Sequence, residues 1–313
     1  MVRFCPSMLA AVVALFVPAL SHAASDSTFQ RTLHVTGAPI VVVQTNSGDI
    51  RVSQGAPNQV AILGKVHFSR WKRDGAEEKD LQQFLQNPPV HQTGNTIDVG
   101  EENDSSPLLQ KYLSHGHGIS IDYEITVPQG TNLNIKSGSG NLRVEGTGGP
   151  VRARTGSGNI VAHDIEMNSR LATGAGSIHV RRASGTLRLE ASSGDIYVRG
   201  STLSDLQVGT GSGNIQIDAV QGHLRAEAGS GDITVKGTPL THWQLETDSG
   251  NIDVTIPTSA KFRLDARSDS GSIKTDLPLD RLGEQSKRHI YGTLNGGGPT
   301  VRVEAVSGDI VVH

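Results

Sequence analysis

Eight positions carry Asp or Asn directly after a glycine in a recurring Ser-Gly-Asx phrase: Asp49, Asn141, Asn159, Asp195, Asn214, Asp232, Asn251 and Asp309. Acids at glycine-rich corners are the raw material of a calcium β-roll, whose motif recurs about every nine residues. Here only four of the eight are acids, adjacent copies rarely both supply one, and the intervening half-repeat has no Gly-x-Asp. Calcium asks for roughly six to eight oxygens. The residue types therefore favour corner capping, the side-chain oxygen bonding turn backbone. No metal and no other cofactor is expected.

A second pattern is basic. Six residues before the corner glycine stand Arg152, Arg170, Arg188, Arg225 and Arg302, and four before it stand Arg154, Glu190, Glu227, Glu246 and Glu304. Arg152, Arg154, Arg170 and Arg188 form a candidate anion-binding stripe, with Arg181 and Arg182 in a neighbouring return loop. Guanidinium forks suit carboxylates and phosphates, so an anionic envelope glycan, or an envelope protein, is the expected partner. The competing reading is a solvated face neutralised by its column of glutamates.

Other constellations are weaker. His115-Gly116-His117, with His91 upstream, lies in a Gly-flanked loop with no acid or Cys at metal spacing. Gly209-Thr210-Gly211-Ser212-Gly213 imitates a phosphate loop, but no Lys and no helix follow it. Polysaccharide-active β-helices need clustered carboxylates. Asp218, Asp253 and Asp265 fall on different repeats and faces, so no catalytic residue is assigned. A catalytic site, if one exists, belongs in the irregular stretch 55–130 with Trp71 and Tyr112.

The elements that position these residues are repeats. The corner glycines are Gly48, Gly140, Gly158, Gly176, Gly194, Gly213, Gly231, Gly250, Gly271 and Gly308, and from Gly140 to Gly250 the steps are 18, 18, 18, 19, 18 and 19. Ile or Leu stands two residues after each. Apolar residues recur seven and five before it, and a small residue three before it. Side chains alternate along a strand, so positions −7, −5 and −3 share one face and +2 and +4 share another. Each coil reads as strand, glycine corner, strand, return loop. The fold class is all-β: a β-solenoid of roughly 18-residue coils with Ser-Gly-Asp/Asn corners. Its aliphatic ladders would explain how a chain with 6 Phe, 4 Tyr, 2 Trp and 37 Gly makes a core. The first and last coils read as its caps.

Two segments break the rhythm. Between Gly48 and Gly140 no corner occurs. There 59–69, 90–99 and 118–127 read as strands and 76–86 as a helix, either degenerate coils or an inserted meander. Residues 274–300 read as a loop. The chain is expected to divide into a signal peptide, 1–23, and a single solenoid domain, 24–313. Arg3, the apolar run Met8–Leu20 and Ser21-His22-Ala23 form the export pattern. Cys5, the lone cysteine, would leave with it. No transmembrane segment is expected in the mature chain, which would be periplasmic or extracellular. The net charge of −3 argues against nucleic acid.

The opening 41–50, the interrupted second segment and the train of Ser-Gly-Asn/Asp-Ile corners resemble the bacterial adhesin-like family of β-strand-repeat proteins, a domain of unknown function. They are similar also to the head domains of auto-transporter adhesins. The likeness spans roughly 36–313 and implies an adhesin-like role. No auto-transporter barrel or surface anchor is expected from the sequence, which moves the expectation from cell–surface sticking toward a role inside the envelope. The expected role is that of a non-catalytic binding or structural surface. The alternatives are a polysaccharide-active β-helix enzyme and an accessory of envelope-stress signalling.

Overall fold

The computed structural model describes residues 27–68, 75–100, 119–166, 168–282 and 286–313. The segment 1–23, with Cys5, lies outside these residues, as do Trp71, Tyr112, His115 and His117. Apart from the helix Gly75–Gln86 the regular structure is β. Strands that precede a corner glycine stack in a 14-stranded sheet, here the first sheet, and strands that follow it stack in a 13-stranded second sheet. The solenoid-like stacking of parallel strands between Gly48 and Gly308 follows the alternation in the sequence. In Val151–Ser157 the residues 151, 153 and 155 are buried and 152, 154 and 156 exposed. Like residues sit over like: Leu142, Ile160, Ile178, Ile196 and Ile215 are successive register partners, all buried. Burying each such side chain is worth at most roughly 1.5–3 kcal/mol, and the column repeats that gain at every layer.

Gly158 shows why the corner must be glycine. Its φ is +151°, and a Cβ there would lie 2.1 Å from the carbonyl oxygen of Gly140 in the next strand layer. Two side chains lock each corner to its neighbour. The Asx side chain accepts a backbone N–H across the layer: Asn159 to Asn141 Oδ1 at 3.0 Å, Ser177 to Asn159 Oδ1 at 2.8 Å. The ladder lapses at Ser177 and resumes at Asp195, running through Asn214, Asp232 and Asn251 to Asp309. A hydroxyl at −3 supplies the second lock at most of the corners that have one, whereas Thr45 donates to the Ser47 carbonyl of its own strand. Thr155, Thr173, Thr210 and Thr247 donate to the carbonyls of Gly140, Gly158, Gly194 and Gly231 at 2.8–3.1 Å.

The ends depart from the sequence reading. The last coil is not a cap. Thr300–Ser307 lies between Trp243–Ser249 and Phe262–Ser268 in the first sheet, and Ile310–Val312 lies between Ile252–Thr255 and Ile273–Thr275 in the second. The stretch 274–300 is not a plain loop. His289–Leu294 pairs antiparallel with Phe262–Ser268 and carries the short strand Asp280–Arg281. Ile290, Gly292 and Leu294 alternate inward there, a period-two signal outweighed in the sequence by the glycines that follow.

The first coil is not a cap either. On the second sheet Ile50–Gln54 is covered by Ile119–Val127, then Gln59–Phe68, then Ser27–His34. On the first sheet Ile40–Ser47 is covered by Thr96–Gly100 and its hairpin partner Val90–Thr93. The stretch 55–130 thus combines both sequence readings. Thr96–Gly100 and Ile119–Val127 run parallel to the repeats like a degenerate coil, while Gln59–Phe68 is an antiparallel meander strand. The span read as one strand, 90–99, turns at Gly94-Asn95. The described buried aromatics gather at the two ends. Phe29, Phe84 of the helix and Tyr123 form edge-on contacts 6.1 and 6.3 Å between centroids, and Trp243 and Phe262 are buried in the C-terminal layers. Among the described residues no helix is long and apolar enough to cross a membrane.

Candidate functional site

The first sheet turns positions −6, −4 and −2 outward. In register across adjacent parallel strands, Arg152 neighbours Arg170, which neighbours Arg188, at the sheet spacing of about 4.8 Å. Arg154 lies between Lys136 and Ala172. Three of the four stripe arginines therefore stack directly, and like charges directly opposite repel.

Glu190 relieves part of this repulsion. Arg170 binds it through Nη2 at 2.9 and 3.1 Å, and Arg188 through Nε at 2.6 Å. The hydrogen bond from Arg170, reinforced by Arg188, holds the Glu190 carboxyl below the usual carboxylate range. Arg188 also donates to Gln207 at 3.2 Å. Arg152 and Arg154 have no side-chain hydrogen bond or ion pair among the described residues. Farther along the sheet most arginines are neutralised: Arg225 pairs with Glu227, Arg302 with Glu304, and Arg267 with Asp265, while Arg263 has no ion pair among the described residues. The pairing of charges differs between the two halves of the face. The face is balanced toward the C-terminal layers and cationic over the strands from Asn132 to Ser193.

Beside the cationic half runs a shallow trough of about 510 Å³, floored by Gly138, Gly156 and Gly174 and walled by Lys136, Arg154 and Glu190. Backbone packing dictates the glycines: a Cβ on Gly156 would lie 2.5 Å from the Gly138 carbonyl oxygen. The outcome is a strip of bare backbone across adjacent coils, with the Arg154 guanidinium at its side and Arg152 two residues before it on the same strand. Such a surface can hold an extended anionic chain by charge and by hydrogen bonds. It offers no arranged acid or base.

The remaining candidates separate. Arg181 ends the strand Ile178–Arg181 on the second sheet, and Arg182 is locked to Asp164 in the return turn at 2.6 and 2.7 Å, so neither extends the stripe. Asp218 and Asp253 are on the second sheet, whereas Asp265 is on the first, held by Arg267 and by His289 at 3.2 Å. His91 is exposed on the hairpin strand Val90–Thr93. Gly209–Ser212 is strand and Gly213 the corner that follows. The Asx oxygens are spent on backbone N–H groups, and among the described residues no group of three or more His, Cys, Asp or Glu is placed to hold a metal.

One feature escaped the sequence reading. On the second sheet the imidazole of His179 stacks on the ring of Tyr197, with 4.7 Å between centroids and 11° between planes. Both stand three residues after their corner glycine, so aligning that outward column would have revealed the pair.

No curated protein matches the chain. Among solved structures, a candidate cell adhesion protein from Clostridium sporogenes is similar at 13% identity, over 91% of this chain and 98% of that one, with a TM-score of 0.22. A candidate adhesin from Bacteroides fragilis is similar at 14% identity, over 91% and 95%, with a TM-score of 0.39. The family model described as Toastrack DUF4097 matches residues 74–313, a span that contains nine of the ten corner glycines and the whole cationic face. The chain belongs to this Toastrack family, a domain of unknown function.

Proposed function

We propose that this is an exported, non-catalytic binding surface of the cell envelope whose ligand is an anionic envelope polymer. The export signal would end at Ala23. The polymer would lie along the glycine trough, with Arg152 and Arg154 making the primary ionic contacts and Arg170 and Arg188 sharing theirs with Glu190. The observation that carries the reading is a pair of guanidiniums unpartnered among the described residues, Arg154 in the wall of a strip of side-chain-free backbone and Arg152 two residues before it on the same strand, on a face whose C-terminal arginines, Arg263 apart, are neutralised. Guanidiniums already in strong pairs have little to gain from a ligand, whereas Arg152 and Arg154 can replace water with a carboxylate or phosphate fork. The corner glycines and Asx residues serve the scaffold.

The test is co-sedimentation of the 24–313 protein with intact cell-wall sacculi and with lipopolysaccharide, at low and high salt. A quadruple variant, Arg152→Ala, Arg154→Ala, Arg170→Ala and Arg188→Ala, runs alongside. The expected result is binding that weakens with salt and is lost in the variant. Absence of binding to both materials, or equal binding by the variant, would sink the proposal.

A further inference from the structure

The outward column of the second sheet that contains His179 and Tyr197 steps from two stacked rings to a short side chain, Val161. In register, the column reads Arg143, Val161, His179, Tyr197, Gln216. The Tyr197 hydroxyl donates to Asp195 Oδ2 at 3.0 Å, which fixes the phenol ring. Burial, together with Arg181 and Arg199 nearby, lowers the pKa of His179 and so favours its neutral imidazole. Tyr197 covers one face of that imidazole. The other faces the layer of Val161, a short, half-buried apolar side chain.

The layer beyond Val161 carries Arg143, which is engaged with Glu145 at 2.5 Å. His179 and Arg143 are two strand layers apart, about 9.6 Å at the ordinary sheet spacing. The Val161 layer between them carries no ring and no charged group. Two residues farther along the same strands, His163 and Arg181 are register neighbours. Arg181 has no side-chain hydrogen bond or ion pair among the described residues. On the corner side, Asn159 spends its Oδ1 on the Ser177 N–H, leaving its amide NH₂ to donate.

We infer that the place over Val161 is a binding slot for one pyranose ring bearing a carboxylate, a uronate unit of an acidic glycan. The C–H face of the sugar packs on the neutral imidazole and on Val161. Its carboxylate pairs with Arg181, and Asn159 donates to a ring hydroxyl. The slot is open along the strand direction, so a chain can run through it. It lies on the opposite sheet from the arginine stripe and does not depend on it.

The test probe is trigalacturonate, with maltotriose as the neutral comparison, followed through the imidazole carbon resonances of His179. Val161→Phe covers that face of the imidazole with the protein's own ring, and Val161→Thr preserves the size of the side chain. Trigalacturonate is expected to shift the His179 resonances saturably in the wild type, in Val161→Thr and in the quadruple arginine variant. Affinity should fall at least tenfold in Val161→Phe and in Arg181→Ala. No shift of His179, or an unchanged affinity in Val161→Phe, overturns the slot. An equal response to maltotriose overturns the assignment of an acidic sugar. Far-UV circular dichroism of each variant confirms that the sheets remain.

Discussion

Substituting Gly308 by Ala tests both the corner geometry and the unexpected position of the last coil. Gly308 has φ +153°, and a Cβ on it would lie 1.8 Å from the Gly250 carbonyl oxygen. The backbone conformation alone costs roughly 1–3 kcal/mol for a residue with a side chain. Relieving the contact requires adjacent strand layers to part by more than an ångström, and overpacking of that kind costs roughly 1–3 kcal/mol more. The sum, about 2–6 kcal/mol, is a large share of the ~5–15 kcal/mol of a typical domain. Gly209 supplies the control, since a Cβ there meets nothing within 4 Å. Gly209→Ala should stabilise by roughly 0.5–1 kcal/mol, as alanine does in a strand interior.

Thermal melts read the magnitude, at roughly 2–4 °C per kcal/mol for a chain of this class. Hydrogen exchange reads the location. Because the Gly308 coil is sandwiched, Gly308→Ala should lower protection in Trp243–Ser249 and Phe262–Ser268 together. A melt within about 1 °C of wild type would refute the clash, given how steeply stability maps onto Tm. Loss of protection confined to 300–313 would refute the sandwiched topology.

Three further outcomes follow from side-chain geometry. Asp309→Asn should melt close to wild type and Asp309→Ala below both, because Asn251 performs the same capping for Asp309 at 3.0 Å that Asp309 performs for Ser272 at 2.8 Å; an alanine variant as stable as the asparagine one would remove the capping role. The folded pKa of Glu190 lies below its unfolded value of about 4.3, so its contribution is fully present above that pH and lost as pH falls through the folded value. The stability gap between wild type and Glu190→Gln in urea titrations should therefore narrow from pH 7 to pH 3, and a constant gap would contradict it. Ala172→Glu gives Arg170 an acid two residues along its strand and puts a carboxylate into the trough wall. It should weaken polymer co-sedimentation while leaving the melt within about 0.5 kcal/mol of wild type, as for a surface change; undiminished binding would place the ligand elsewhere.

The corners were legible because each repeats the same demand. Gly158 answers to its own φ and to Gly140 at once, and nearly every layer poses that demand again, so spacing alone exposed it. The hydroxyl at −3 was half legible. Its smallness was plain in the aligned column, but its hydrogen bond to a glycine carbonyl belongs to the next layer and appears only when layers are stacked. The order of layers at the C-terminus was not legible at all. Gly271 and Gly308 carry the same corner phrase, and either fits beside Gly250 with the same ladders. What separates them is the hairpin: His289–Leu294 folds back on Phe262–Ser268 and occupies its outer edge. The following strand can then pair only with the inner edge, between that strand and Trp243–Ser249.

The charge on the first sheet obeys a local rule that the sequence also contains. Residues two apart on a strand face the same way, so an arginine with a glutamate two residues on can be neutralised within its own strand. Arg188 with Glu190, Arg225 with Glu227 and Arg302 with Glu304 do so, and Arg143 with Glu145 does the same on the second sheet. The rule fails at two consecutive coils. Arg152 is followed by Arg154, and Arg170 by Ala172, so Arg170 reaches across a layer to Glu190, which Arg188 already holds. One carboxylate thus serves two arginines, and Arg152 and Arg154 are left without any. Composition hides this, because the acids are present in the chain but belong to other strands. A solenoid face acquires a binding region where its in-strand pairing lapses, and the glycine trough lies beside that lapse.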